Sequence, residues 1–179
     1  MIGLFRLPCV LLACVVSACS GGRSSADGDR HYAGLSCAPF ARELTGIQLH
    51  GAAAGWWDAA AGRYDRVSAP EIGSVLVFRS AARLPLGHVS VVSRVRGPRR
   101  IDVIGANWVP GELERDQPVV DVSAANDWSL VRVWYAPLGQ LGSHSYQAYG
   151  FILPHAPLGH DALASAAGPA ATRTVAGRY

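Results

Sequence analysis

Every helical signal in this chain precedes a run of short apolar strands, and that order limits the fold more than any other feature. Ser74–Phe78, His88–Arg96, Arg100–Ala106, Val119–Val122 and Leu130–Tyr135 all read as strands. The dipeptide Gly97-Pro98 marks a hairpin turn, and Pro70-Glu71-Ile72-Gly73 is a turn signal before the first strand. Tyr149–Leu153 offers a final edge strand. Ahead of them, Ser36 stands where a helix would start, with Pro39 in its first turn, where a missing N–H costs nothing. Phe40, Leu44 and Ile47 keep helical spacing, and Gly46 is the stop. A second short helix is expected over Ala53–Ala60. Helices first and sheet after is an α+β order rather than βαβ repetition. The expected architecture is N-terminal helices packed on a roughly five-stranded antiparallel sheet.

The chain has 179 residues, half of them hydrophobic, enough for one domain with tails. Residues 1–19 read as a targeting segment: Arg6, then an apolar stretch from Leu7 to Ser17 too short to span a bilayer comfortably. It ends in Val16-Ser17-Ala18-Cys19-Ser20, which resembles the bacterial lipobox, with Cys19 as the lipidated residue. Cys14 is a poorer alternative, and an ordinary secretory signal is the competing reading. A lipid on Cys19 would hold the protein at a membrane face of the cell envelope. Residues 20–31 are small and polar and read as a tether. The domain is expected over 32–153. Residues 154–179 are rich in Ala, Gly and Pro without sustained periodicity and read as a disordered tail. The formal charge of +3 rests on scattered arginines, with no basic run interleaved with aromatics, so nucleic acid is not an expected partner.

Cys37 is the sole cysteine outside the first nineteen residues, and it falls at the expected helix start. The positive end of a helix favours a thiolate, and a nearby imidazole can hold the proton. His88 follows Gly87 at the start of an apolar strand and is the best partner; His31, His50, His144, His155 and His160 fall in tether, turn, loop or tail. A lone thiol at a helix N-terminus with a histidine on a later strand is the outline of a papain-like nucleophile and base. Such a site needs a third group to orient the imidazole. Alternation along Ile101–Asn107 puts Asn107 on the face of Ile101, Val103 and Gly105, and Asp102 on the other. Asn107 is the expected orienting residue, and Asp102 the alternative if Gly105 marks a bulge. The backbone N–H of Cys37 is the expected oxyanion donor. No zinc-type ligand spacing is present, and no metal or other cofactor is expected.

Five segments in this order carry a family resemblance: Cys37–Arg42, Gly51–Ala59, Pro70–Phe78, Gly87–Val92 and Ala106–Trp108. Together they resemble the CHAP domain, the cysteine, histidine-dependent amidohydrolase/peptidase. The resemblance implies a papain-like α+β fold and hydrolysis of amide bonds in bacterial peptidoglycan, as amidase or endopeptidase. It implies Cys37 as nucleophile, His88 as base and Asn107 as orienting residue. Many members carry a polar or acidic residue two positions before the asparagine; here that position is Gly105. The family's cell-wall targeting repeats are missing, and a lipid anchor would replace them. Trp56, Trp57 and Trp108 are candidates to line the substrate cleft, with core packing as the alternative. An exported antibacterial effector with the same chemistry, a non-catalytic cell-wall-binding lipoprotein, and an unidentified regulatory partner in the envelope are the further possibilities.

Overall fold

The computed structural model describes residues 36–167. The targeting segment, Cys19 and the tether therefore lie outside the described residues. Helix α1 (Cys37–Thr45) opens the described chain. Ser36 takes the extended N-cap conformation, although its side chain makes no capping bond. Gly46 ends the helix in the left-handed conformation at φ 74°, its N–H bonded to Arg42 O at 2.8 Å. A 3-10 turn (Ala53–Gly55) leads into the single-turn helix α2 (Trp56–Ala59).

Seven strands follow: β1 (Arg66–Val67), β2 (Val75–Phe78), β3 (His88–Gly97), β4 (Arg100–Ala106), β5 (Leu113–Asp121), β6 (Leu130–Tyr135) and β7 (Gln140–Ile152). All pairings are antiparallel, in the order β1-β7-β2-β3-β4-β5-β6, and β7 also pairs with β6. The six strands β2 to β7 therefore form a closed barrel, and β1 adds to the end of β7. This corrects the expected papain-like α+β arrangement of helices on a five-stranded sheet. The difference comes from β7, which is 13 residues long. Its first half pairs with β6 (Leu130↔Gln147, Tyr135↔Gln140) and its second half with β2 (Val75↔Ile152, Leu76↔Phe151). The apolar residues of β7 gather toward its end; Gly142-Ser143-His144-Ser145 reads as loop, yet it is a barrel stave because pairing with β6 satisfies its backbone.

The barrel wall separates two cores. Leu76, Phe78, Val92, Ile101, Val103, Val119, Val131, Val133 and Phe151 fill the interior. Val75, Val77, Val89, Val91 and Ile104 face outward and are covered by Phe40 and Ala41 of α1, with Ile47, Leu49 and Trp56. Strand β2 is thus buried on both faces, which explains the unbroken apolar run Val-Leu-Val-Phe. A last helix, α3 (His160–Ala167), packs against α1 and β5. Leu163 and Ala166 join the outer core, and Arg115 Nε donates to Ala166 O at 2.9 Å. This helix lies within the stretch read from sequence as tail; its two buried residues stand three apart, too short a pattern to register as periodicity.

Candidate active site

Cys37 is the first residue of α1 and is half-buried against the outer barrel core. Its Sγ is set to accept from the backbone N–H groups of Val89, Ala38 and Cys37 itself. The helix supplies two of these because its first-turn amides lack intrahelical partners, and Pro39 contributes none. The third belongs to Val89, the residue after His88, so β3 and the helix N-terminus meet at the sulfur. Burial pushes the Cys37 thiol above its usual range, and the charge of Glu114 adds to this. The three N–H groups pull the other way without prevailing.

His88 begins β3, opposite Phe78 of β2, and its side chain is 3% exposed. Its ring meets Trp108 edge-on at 5.0 Å and Phe78 at 5.8 Å, and Trp108 rests in turn on Tyr146 at 5.1 Å. Burial pushes the imidazole down to about 3. The resting pair is therefore a neutral thiol and a neutral imidazole. That departs from the expectation that the helix end and a histidinium would lower the thiol: desolvation of both groups exceeds what the amides return. The chain reaches His88 through Gly87, at φ 68°. A Cβ there would lie 2.6 Å from Ala54 N, 2.7 Å from Ala54 Cβ and 2.7 Å from Phe78 O, so glycine lets the 3-10 turn press against the strand entry.

The residues proposed to orient His88 lie elsewhere. The alternation read from sequence holds through Gly105: Ile101 and Val103 face the interior, while Asp102 points outward to Arg96, with Nε to Oδ2 at 2.6 Å. Asn107 then leaves the strand at φ 69°. That left-handed conformation turns it out to solvent, where its Oδ1 accepts from Gly111 N at 2.9 Å and closes the β4–β5 turn. His88 Nε2 is buried with no hydrogen-bond partner. Near it stand Gly105, whose missing Cβ would lie 3.8 Å from Nε2, and Ser90.

The three tryptophans separate. Trp108 covers His88. Trp56 is fully buried in the outer core, with an unpartnered Nε1, and is core rather than cleft lining. Trp57 stacks on Tyr149 at 5.7 Å, with the Arg66 guanidinium 5.1 Å from its ring, over Gly150 of β7. Among the described residues no group of three His, Cys, Asp or Glu side chains could hold a metal ion.

Glu114 of β5 was missed from sequence. Its side chain is buried, and Oε1 accepts from Val109 N at 2.6 Å. Oε2 has no partner, and burial raises the carboxyl above the ordinary range. One of three acidic residues in a mixed strand, it carries no signal until its partner strand is known.

A thiol at a helix N-terminus thus meets the backbone of Val89, the residue after a buried histidine that opens a strand. The family model of the CHAP domain matches residues 26–107, the segment that bears Cys37, His88 and Asn107. Such domains are in general cysteine- and histidine-dependent amidohydrolases or peptidases, and the family relates to peptidoglycan. Among curated proteins, no relative matches the chain. Strands β5 to β7 and α3 lie beyond the matched residues.

Proposed function

We propose that this protein hydrolyses amide bonds of bacterial peptidoglycan, with Cys37 as nucleophile and His88 as general base. The observation that carries the reading is the meeting of Sγ with the Val89 N–H, one residue from a buried, neutral imidazole. A neutral imidazole is a base ready to accept a proton, and a neutral thiol is activated only as that proton leaves. In the first half-reaction the sulfur attacks the amide carbonyl and its proton passes to His88. The imidazolium then protonates the leaving nitrogen as the C–N bond breaks, leaving a thioester. In the second half, water attacks the thioester while His88 takes its proton. The C–S bond breaks, and the proton returns to sulfur. The Cys37 and Ala38 N–H groups at the start of α1, which lack intrahelical partners, supply donors for the oxyanion. Trp108, over the imidazole, restricts water on that side.

Anchoring through a lipid on Cys19 belongs to the same proposal: it would keep the enzyme beside its substrate, and Cys19→Ala would release the protein from membranes. The test of the activity is mass spectrometry of purified peptidoglycan after incubation with the full chain, with Cys37→Ala as control. New fragments only with the wild type are expected, and their masses separate amidase from endopeptidase. A second reading, a non-catalytic wall-binding module, draws on one observation: the position that often bears a polar group is Gly105, and His88 Nε2 is left unpartnered. Co-sedimentation with peptidoglycan without any fragments would favour it.

A further inference from the structure

We propose that Glu114 is the positioning residue for His88, its carboxylate reaching from the neighbouring strand into the space that Gly105 leaves open. The inference rests on His88 as the general base. Three observations converge on it. Gly105 and Glu114 are direct partners in the β4–β5 register, so both face the same side of the barrel wall. A Cβ on Gly105 would lie 3.1 Å from Ser90 Oγ and 3.8 Å from His88 Nε2, so the lack of one leaves room beside Ser90 between imidazole and glutamate. Finally, His88 Nε2 and Glu114 Oε2 are both buried and both without a partner. One can carry a proton and the other accept it. Buried polar groups are nearly always paired, and a single hydrogen bond between these two would satisfy both.

The carboxylate is already steered by its other oxygen, held at 2.6 Å by Val109 N. The titratable groups acting around it are Cys37 from α1, whose thiol feels its charge, and Glu112 from the turn. His88 from β3 borders the same space. With Nε2–H donating to Oε2, the lone pair of Nδ1 is left for the thiol. The proton taken from Cys37 then goes to Nδ1, and the imidazolium so formed has a carboxylate beside it. Glu114 lies beyond the residues that match the family model. Its role follows from the register of this barrel.

A purely structural Glu114 would only hold the 107–112 turn through Val109. Glu114→Gln keeps that acceptor and removes the charge. With the full chain, the proposal expects kcat to fall about 100-fold with KM changed less than about threefold, and the acid limb of the rate profile to move. It also expects the unfolding midpoint to be retained. Nitrogen-15 NMR of His88 in the wild type should show the Nε2–H tautomer, and this measurement needs neither the variant nor turnover. An Nδ1–H tautomer in the wild type overturns the proposal, and so does a Glu114→Gln kcat within about threefold of wild type. If the wild type released no fragments, the proposed hydrolysis would fail while the tautomer still decided the role of Glu114.

Discussion

Gly87 and Gly62 have the same backbone conformation, φ 68° at each, and opposite surroundings. They therefore separate the two reasons a glycine is needed before His88. Gly62→Ala meets nothing within 4 Å. It should lose only the left-handed penalty, about 1–2 kcal/mol. Gly87→Ala pays the same penalty and adds contacts at 2.6, 2.7 and 2.7 Å. Two of those three atoms are backbone, so no rotamer change relieves them. Overpacking of this kind costs about 1–3 kcal/mol more. The expected total is about 2–5 kcal/mol, against about 1–2 kcal/mol for Gly62→Ala. Urea unfolding reads this directly. With a slope of about 1.5 kcal/mol per M, a 3 kcal/mol loss lowers the midpoint by about 2 M. Because the insult falls on Ala54 and on the Phe78 carbonyl, Gly87→Ala should also displace the His88 backbone and reduce hydrolysis, while Gly62→Ala leaves the rate alone. Equal midpoints for the two variants would refute the steric argument. A stable but inactive Gly87→Ala would show that positioning outweighs stability there.

The depressed His88 sets a stability trend on the acid side. Its folded value near 3 lies below the ordinary imidazole value, so below about pH 6.5 the unfolded chain takes up a proton that the folded one refuses. Stability from this group is complete above that pH and falls on acidification toward 3. Between pH 6.5 and 4.5 the wild type should lose about 2 kcal/mol more than His88→Gln in urea unfolding; equal losses would refute the burial argument. The raised Glu114 acts with the opposite sign, gaining stability on acidification. Alkylation of Cys37 by iodoacetamide should accelerate mainly toward alkaline pH, because burial raises the thiol; a rate already at its plateau below pH 7 would mean a preformed thiolate. Asn107→Gly retains the left-handed backbone and gives up the bond to Gly111, so kcat should stay within about fivefold of wild type; a loss of about 100-fold would restore Asn107 to the orienting role.

What the sequence determined by itself is local. The helix start at Cys37, the left-handed stop at Gly46, the turn at Gly97-Pro98, the strand beginning at His88 and the inward face of Ile101, Val103 and Gly105 follow from propensity, punctuation and alternation. These depend on neighbours a few positions apart, which a sequence displays. Barrel closure was decided only in three dimensions. The polar first half of β7 becomes a strand because β6 offers it hydrogen bonds, and nothing in Gly142–Ser145 announces a partner. The same holds at the site. Alternation carries Asn107 toward His88, but one left-handed residue turns it out to the Gly111 amide. Glu114 comes level with Gly105 only through a register shift between Val103 and Gly105. The protonation states also belong to the tertiary structure. A thiol at a helix N-terminus reads as acidic in sequence, and the packing of α1, Trp108 and Phe78 reverses that, because removing water from both groups disfavours the charged forms more than the helix amides favour them.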